Sequence, residues 1–305
     1  MLIGIDGNEA NVQRRVGISE YSYQLLRYFQ SCGANINCKI FLKKLPLDSL
    51  PLQTDHFKYE VVKPSRFWTQ VGLPLRLFRK RDIDLFFTTT HYGPRMSPIP
   101  TVISVMDLSY IHFPELFKKK DLYKLTNWTK YSTKKARKII TISNSSKNDI
   151  IKYYKIPEEK IEVVYPGIKQ IESHSMNIIP SKYEIQEDFI LYIGTLQPRK
   201  NLVRLIEAMS KIKDKKISLV VIGKKGWQYE EILAAPGKFA VKDRIKFLDF
   251  VPDEDLPAFY HNAICYVLPS LYEGFGLPIL EAMQYGCPVI TSNVSSLPEA
   301  GGEAA

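Results

Sequence analysis

Cysteine is scarce in this chain. Cys32, Cys38, Cys265 and Cys287 are the only four, with no Cys-x-x-Cys pair and no metal-ligand spacing among them. They read as reduced thiols rather than a disulfide framework or a structural zinc site. No apolar run is long enough to span a bilayer, and Met1 to Ala10 contains no signal-peptide hydrophobic region. A cytoplasmic protein is the expectation. A repeat of solenoid period and low-complexity segments are likewise missing. So is a Gly-x-Gly-x-x-Gly after a strand, which argues against a nicotinamide-dependent oxidoreductase. No recognised nucleic-acid module appears, so nucleic acid is not an expected partner.

What remains is a globular composition with an uneven charge. The 305 residues suffice for two cores of ordinary domain size. Residues 1–172 hold 28 Lys+Arg against 16 Asp+Glu, a net of +12, while the rest holds 14 against 16, a net of −2. The excess cations cluster at Arg76, Arg79, Lys80 and Arg81, at Lys118 to Lys120, and at Lys134, Lys135, Arg137 and Lys138. Such patches suit an anionic membrane surface or a phosphate-bearing acceptor; a solvated lysine-rich face is the plainer alternative. The segment Arg66 to Arg79 mixes large apolar and basic side chains in a pattern that fits a membrane interface. Gly72 and Pro74 interrupt a helix there, and packing on a sheet explains the apolar residues equally well.

Strand-like and helix-like segments alternate throughout, which predicts a parallel α/β architecture. Strands are expected at 2–5, 38–42, 84–88, 101–105, 138–142 and 161–164, with helices at 17–31, 118–136 and 145–154. A second series places strands at 189–193, 217–222, 245–248, 264–268 and 288–291, and helices at 200–212, 254–261 and 279–285. The boundaries drawn are a first domain over 1–172, a linker over 173–187 and a second domain over 188–305.

The most informative stretch is Glu273-Gly274-Phe275-Gly276-Leu277-Pro278-Ile279-Leu280-Glu281. It follows the apolar run Ala263 to Leu268 and reads as strand, glycine turn, helix. Gly274 and Gly276 permit a tight turn and close approach of a ligand, and Pro278 suits the first helical position. The helix N-terminus after them is an anion site with a carboxylate on either side. That combination suits a ligand with both phosphate and hydroxyls, such as a nucleotide sugar. An ordinary βα turn with two surface glutamates is the alternative. A second phosphate turn is expected where Gly194 ends a strand and Arg199 and Lys200 begin a helix, because two cations at a positive dipole end point to an anion.

Together these segments resemble the retaining GT-B glycosyltransferases of the large family-four group. The resemblance extends to Ile3-Gly4-Ile5-Asp6, Val16 to Tyr21, Tyr192 to Asn201, Phe250 to Leu256 and Ser292 to Glu299. It implies two Rossmann-like domains facing each other across a cleft, the first for the acceptor and the second for the donor. It implies transfer of a hexosyl or deoxyhexosyl group, mannose-like by preference, from a nucleotide-diphosphate sugar to a hydroxyl of a glycan or lipid-linked acceptor. Retention of configuration and a place in cell-surface polysaccharide synthesis, peripheral on the inner membrane face, are implied by the same likeness. In the family the first glutamate touches donor-sugar hydroxyls, the second binds the nucleotide ribose, and the lysine binds the diphosphate.

On that basis catalysis is assigned to Asp107, Glu273, Lys200 and Arg199. Donor binding is assigned to Gly17, Gly194, Thr195, Val251, Gly274, Phe275, Gly276, Leu277 and Glu281. Two departures stand out. Thr195 occupies a place where the family often has a cation, which leaves Arg199 to supply that charge. Met106-Asp107 replaces the usual His-Asp, and methionine neither exchanges a proton nor donates a hydrogen bond. Asp107 then becomes the better polar contact, with His112 nearer a structural role. No metal or other cofactor is expected. Asp82-Ile83-Asp84 precedes a strand, and Asp253 reads as the N-cap of a helix. The family continues beyond the point where this chain stops, so a C-terminally truncated second domain is expected. Met106 and that ending leave a non-catalytic sugar-nucleotide-binding or scaffold protein as the alternative.

Overall fold

A computed structural model describes residues 1–168, 182–185 and 188–305. The chain divides into two compact units, Met1–His112 with Phe117–Tyr165, and Phe113–Leu116 with Pro166–Ala305. Most of the expected linker over 173–187 lies outside the described residues.

In unit 1 the strands are β1 Leu2–Asp6, β2 Asn37–Leu42, β3 Phe57–Val61, β4 Leu85–Thr88, β5 Thr101–Ser104, β6 Lys138–Thr141 and β7 Ile161–Val163. They form one parallel sheet in the order β3-β2-β1-β4-β5-β6-β7. Alternate residues face opposite sides of a strand. Ile40 and Leu42 therefore pack toward Leu26 of helix α1 (Ile18–Ser31), with Ile3, Ile5 and Phe87. Phe41 and Phe86 point the other way, into Trp68, Leu73 and Leu77. These come from a π-helical turn, Trp68–Gly72, that runs into helix α2, Leu73–Arg79. Segment 66–79 thus packs on the sheet through one side and leaves Phe67, Val71, Leu75 and Phe78 exposed on the other. The short helix α3 (Ser109–His112) and the longer α4 (Lys119–Lys135) and α5 (Asn144–Tyr154) complete the described helices of this unit. The side chain of Ser143 caps α5 by accepting the Ser146 amide.

Unit 2 repeats the plan with β8 Phe189–Ile193, β9 Ser218–Ile222, β10 Ile245–Leu248, β11 Cys265–Leu268 and β12 Val289–Thr291, ordered β10-β9-β8-β11-β12 and all parallel. Its helices are α6 Leu202–Lys211, α7 Glu230–Lys238, α8 Leu256–Asn262, α9 Leu277–Gln284 and α10 Leu297–Gly301. Val220, Val221, Leu191 and Tyr266 are fully buried, which explains why these strands read as unbroken apolar runs.

Five of the described strands and helices escape the sequence pattern, among them the short α3 and α10. β3 is an edge strand, Phe-Lys-Tyr-Glu-Val, and edges carry charges that a buried strand lacks. α2 holds Pro74 near its start and α7 holds Pro236 inside it, and both prolines argue against a helix on paper. In a first turn a proline removes no hydrogen bond that the helix needs.

Candidate functional site

In each sheet the strand order reverses, between β1 and β4 in unit 1 and between β8 and β11 in unit 2. Ligands of open α/β sheets bind beyond the carboxyl ends of the strands at such a reversal. Both signature turns of unit 2 emerge there. Gly194 follows β8, and its N–H donates to the Ile222 carbonyl at 2.9 Å. Leu196, just past Thr195, is held by an N–H bond to the Lys224 carbonyl at 3.0 Å. Arg199 and Lys200 come next, but not in a helical first turn as the sequence led one to expect. They occupy a 3-10 turn, Pro198–Lys200, and α6 starts only after Asn201, which is left-handed with φ 58°. The Asn201 amide donates to the Pro269 carbonyl at 3.1 Å and so ties this turn to the end of β11. Asparagine tolerates that backbone better than most residues.

From β11 the chain passes through Ser270 to Gly276 and enters α9. Gly276, rather than Gly274, takes the positive φ, at 109°. A Cβ there would stand 3.1 Å from Leu297 Cδ2 and 3.2 Å from Ile279 Cδ1. Pro278 is the second residue of α9, one place later than expected. Leu277 is half-buried at its start, while Phe275 is buried, as is Val251 in the loop after β10.

Glu273 is the hub of the site. Its Oε1 accepts hydrogen bonds from Lys200 Nζ at 2.5 Å and Ser270 Oγ at 2.6 Å, and its Oε2 accepts one from Arg199 Nη1 at 3.2 Å. Arg199 also donates to the Tyr272 carbonyl. Burial alone would raise the Glu273 carboxyl, yet the charges of Lys200 and Arg199 outweigh it and hold the group below its ordinary value. The Tyr192 hydroxyl is fully buried without a hydrogen-bond partner among the described residues. Burial, and after it the Glu273 charge, push its ionisation upward. Glu281 is half-buried on α9, and its Oε2 accepts the Tyr260 hydroxyl at 2.8 Å.

Gly17 and Asp107 belong to unit 1. Gly17 occupies the cap position of α1 with φ 55°, and nothing lies within 4 Å of where its Cβ would be. Asp107 Oδ1 accepts the Ser109 amide at 2.8 Å, and the carbonyl of Met106 accepts Ser146 Oγ at 2.8 Å. His112 Nε2 meets Asp149 Oδ2 at 2.8 Å while its ring sits edge-on to Tyr153, a structural arrangement.

Residues 17–170, just over half the chain, match the family model Glycosyltransferase Family 4, and residues 175–304 match Glycosyl transferases group 1. The chain belongs to Glycosyltransferase Family 4. It is 35% identical over 211 residues to O-antigen chain mannosyltransferase B of Escherichia coli, an alignment that covers 67% of this chain and 55% of that protein. With O-antigen chain mannosyltransferase RfbU of Salmonella typhimurium it shares 27% identity over 228 residues, covering 75% of this chain and 60% of that one. The chain therefore spans about half the length of such relatives. A solved structure of HepE from Anabaena, in complex with UDP and glucose, superposes with a TM-score of 0.73 at 18% identity, over 98% of this chain and 82% of that chain. At that identity the match shows the fold, which is GT-B.

One expectation for this family member fails. Asp253 is not the N-cap of a helix: it lies inside a 3-10 turn, Asp253–Asp255, that starts after Pro252 without a side-chain cap bond. α8 begins beyond it, with Asp255 in the cap position, and Asp255 does not cap it either. The buried Asp255 carboxylate turns instead to Lys182 Nζ at 2.5 Å and to the Tyr183 hydroxyl. In the other Asp-x-Asp, Asp82 pairs with Lys39 at 2.6 Å and Arg76 at 3.0 Å, and Asp84 accepts the Leu2 amide at 2.7 Å.

Sequence reasoning also missed supporting residues. Ser295 Oγ donates to the Glu273 carbonyl at 2.6 Å and accepts the Glu273 N–H at 3.2 Å. Ser296 Oγ stands 2.8 Å from the Glu273 carbonyl and 3.0 Å from that of Phe275. Their segment resembles the family's, but a serine carries no role until its neighbours in space are known. His91, after β4, was passed over entirely. Its Nδ1 is buried with no partner among the described residues, and burial pulls its pKa down against the opposing charge of Asp107.

Proposed function

We propose that the chain transfers a hexosyl or deoxyhexosyl group, mannose-like by preference, from a nucleotide-diphosphate sugar to a hydroxyl of a glycan or lipid-linked acceptor. The reading includes retention of configuration, a role in cell-surface polysaccharide synthesis, and a cytoplasmic location at the inner membrane face. The observation that carries it is the buried Glu273 carboxylate bonded by Lys200 and Arg199 at the β8/β11 reversal. Two cations and one carboxylate leave one net positive charge beside the α9 N-terminus. That field favours a diphosphate and stabilises the negative charge that grows on it as the glycosidic bond breaks. Glu273 keeps both cations aimed, and its place beside them puts an acceptor of hydroxyl protons near the donor sugar. Glu281, with Tyr260 holding its Oε2, suits the ribose. The acceptor hydroxyl then bonds to the anomeric carbon from the face that the diphosphate leaves, its proton passing to the departing diphosphate, which preserves configuration; Asp107 is the polar residue that unit 1 offers the acceptor. No metal is required in this scheme, because Arg199, Lys200 and the helix dipole carry the charge that a cation would.

Saturation-transfer NMR across UDP-, GDP-, ADP- and dTDP-sugars tests the donor half, and the anomer of the product tests retention. One donor class should bind, and Lys200→Ala should weaken it by about 1.5–3 kcal/mol. Failure of every nucleotide sugar to bind would overturn the reading. Activity abolished by EDTA and restored by manganese would overturn its metal-free part. Met106 in place of a histidine favours a second reading, a non-catalytic sugar-nucleotide-binding protein. Donor binding without transfer to any glycan would establish that one instead.

A further inference from the structure

The three described histidines of unit 1 differ in one respect. His56 Nδ1 meets Asn37 Oδ1 at 2.9 Å, and His112 Nε2 meets Asp149 Oδ2 at 2.8 Å. His91 Nδ1 is buried with no partner among the described residues. Burying a nitrogen that way is unfavourable, and a purely structural ring would fill the same space without it. Exceptions of this kind point to a functional use.

The loop that carries His91 is held by its neighbours. Thr89 Oγ1 meets Ser22 Oγ at 2.5 Å. Thr90 Oγ1 donates to the Tyr92 carbonyl and accepts the Tyr92 N–H, both at 3.4 Å. The Gly93 N–H donates to Ser132 Oγ on α4 at 3.1 Å. The Tyr110 ring lies 6.0 Å from that of His91, but its hydroxyl is taken by the Tyr154 hydroxyl at 2.8 Å. Each of these polar neighbours is engaged within the fold, and the imidazole is the group left over on a fixed backbone.

The sheet register shows what His91 stands beside. β4 and β5 are parallel, with Phe86 opposite Thr101 and Thr88 opposite Ile103. The same offset carried past the strand ends brings His91 level with Met106 and next to Asp107, whose charge it feels. All three residues lie beyond the carboxyl ends of the strands, next to the reversal between β1 and β4. Each is half-buried and therefore open to a ligand on one side. Met106 offers that ligand no polar proton, whereas His91 does. Burial keeps the imidazole neutral at neutral pH. With Nδ1 enclosed, the reachable nitrogen is Nε2, and the ring proton belongs there because an N–H without an acceptor is the rarer group in an interior.

We propose that His91 and Asp107 together bind one hydroxyl of the acceptor glycan, His91 donating to its oxygen from Nε2 and Asp107 accepting its hydrogen bond. A hydroxyl both donates and accepts, and a carboxylate beside a neutral imidazole supplies one partner of each kind. The hydroxyl held is not the one that reacts, whose proton passes to the diphosphate, but another on the same sugar. His91 is thus a residue of acceptor specificity. This assignment rests on the transferase reading above and adds to its acceptor side a polar group that Met106 cannot supply.

NMR of the imidazole nitrogens in the full chain tests it, with the methyl pyranosides of mannose, glucose and galactose as probes. In the parent the His91 proton should reside on Nε2, and the His91 signals should move with at least one pyranoside while those of His56 and His112 stay. His91→Phe keeps a ring and removes both nitrogens; it should weaken that pyranoside by about tenfold and leave the Tm unchanged or raised. His91→Gln restores an amide donor and should recover part of the loss. Asp107→Asn should weaken binding less in the His91→Phe background than alone, because both residues hold one group. A structural histidine would give the reverse, a lower Tm for His91→Phe with pyranoside affinity intact, and that result overturns the proposal. So do His91 signals that none of the three pyranosides moves. Titration with nucleotide sugars separates the two readings: if the parent binds none, the transferase reading fails, while the pyranosides still decide this one.

Discussion

Arg199 and Lys200 in unit 2 face a buried carboxylate at 3.2 and 2.5 Å, whereas Arg95, Lys135 and Arg137 in unit 1 surround a cavity with no acid in its lining. The first pair is compensated and aimed before any ligand arrives. The second group has no carboxylate beside it in the cavity lining, and Arg95 lies over the Tyr131 ring instead. Bulk charge says nothing of this difference, since the unit with the smaller cation count holds the better-placed ones. Compensation fixes geometry and costs desolvation, while openness keeps the charge available and leaves repulsion to be relieved.

The sharpest way to break the comparison is to remove the carboxylate. Glu273→Ala leaves two part-buried cations without their carboxylate, and we expect a loss of about 3–5 kcal/mol in urea unfolding, together with lost turnover. Glu273→Gln keeps the shape and should lose less. The sign with pH follows from the lowered carboxyl. Its stabilising contribution is present above the ordinary carboxylate pKa and disappears as the pH falls through the lower folded value. Parent and Glu273→Gln stabilities should therefore converge in acid; a constant gap between them would count against the ion pair.

A smaller effect separates a glycine that serves space as well as conformation from one that serves conformation alone. Gly223 has φ 154° and a Cβ there would lie 2.0 Å from the Gly194 carbonyl oxygen, so Gly223→Ala should destabilise unit 2 by about 3 kcal/mol and displace the turn after β8. Gly17 in unit 1 has open space but a left-handed backbone, and Gly17→Ala should lose only about 1–2 kcal/mol. Thermal unfolding of both variants decides the ranking. An equal loss at the two positions would remove the distinction.

The smallest expected change is Tyr260→Phe, which removes the donor that holds Glu281. Nucleotide binding should weaken by about 0.5–1.5 kcal/mol, less than the roughly 1.5–3 kcal/mol expected for Glu281→Ala. Calorimetric titration that found Tyr260→Phe the worse of the two would make the tyrosine, not the glutamate, the ribose contact.

The sequence was most legible where chemistry and pattern coincide. Buried parallel strands such as Phe189–Ile193 declare themselves by unbroken apolar residues, and the glycine turn before α9 by its spacing. Glu273, Lys200 and Arg199 were each singled out from their local context, and the fold sets them together. What could not be read depends on distant neighbours. Asp253 has the residue type of an N-cap, yet the helix starts later because Asp255 is drawn to Lys182 and Tyr183. Ser295 and Ser296 become meaningful only when β12 lies beside β11. His91 carries no motif at all, and its buried Nδ1 emerges only from the loop's path.

The serine tether also bears on the order in which the molecule is made. Lys200 and Glu273 are 73 residues apart in the chain, and Ser296 reaches Glu273 from 23 residues further on. A ribosome must therefore release nearly the whole described chain before the turn around Glu273 can be secured. The sheet of unit 1 is complete by Val163 and can fold while unit 2 is still being synthesised. Contacts of such separation form late and slowly. Unit 1 would then spend part of every synthesis cycle folded and alone, with its cationic cavity already formed and the turn around Glu273 not yet in existence.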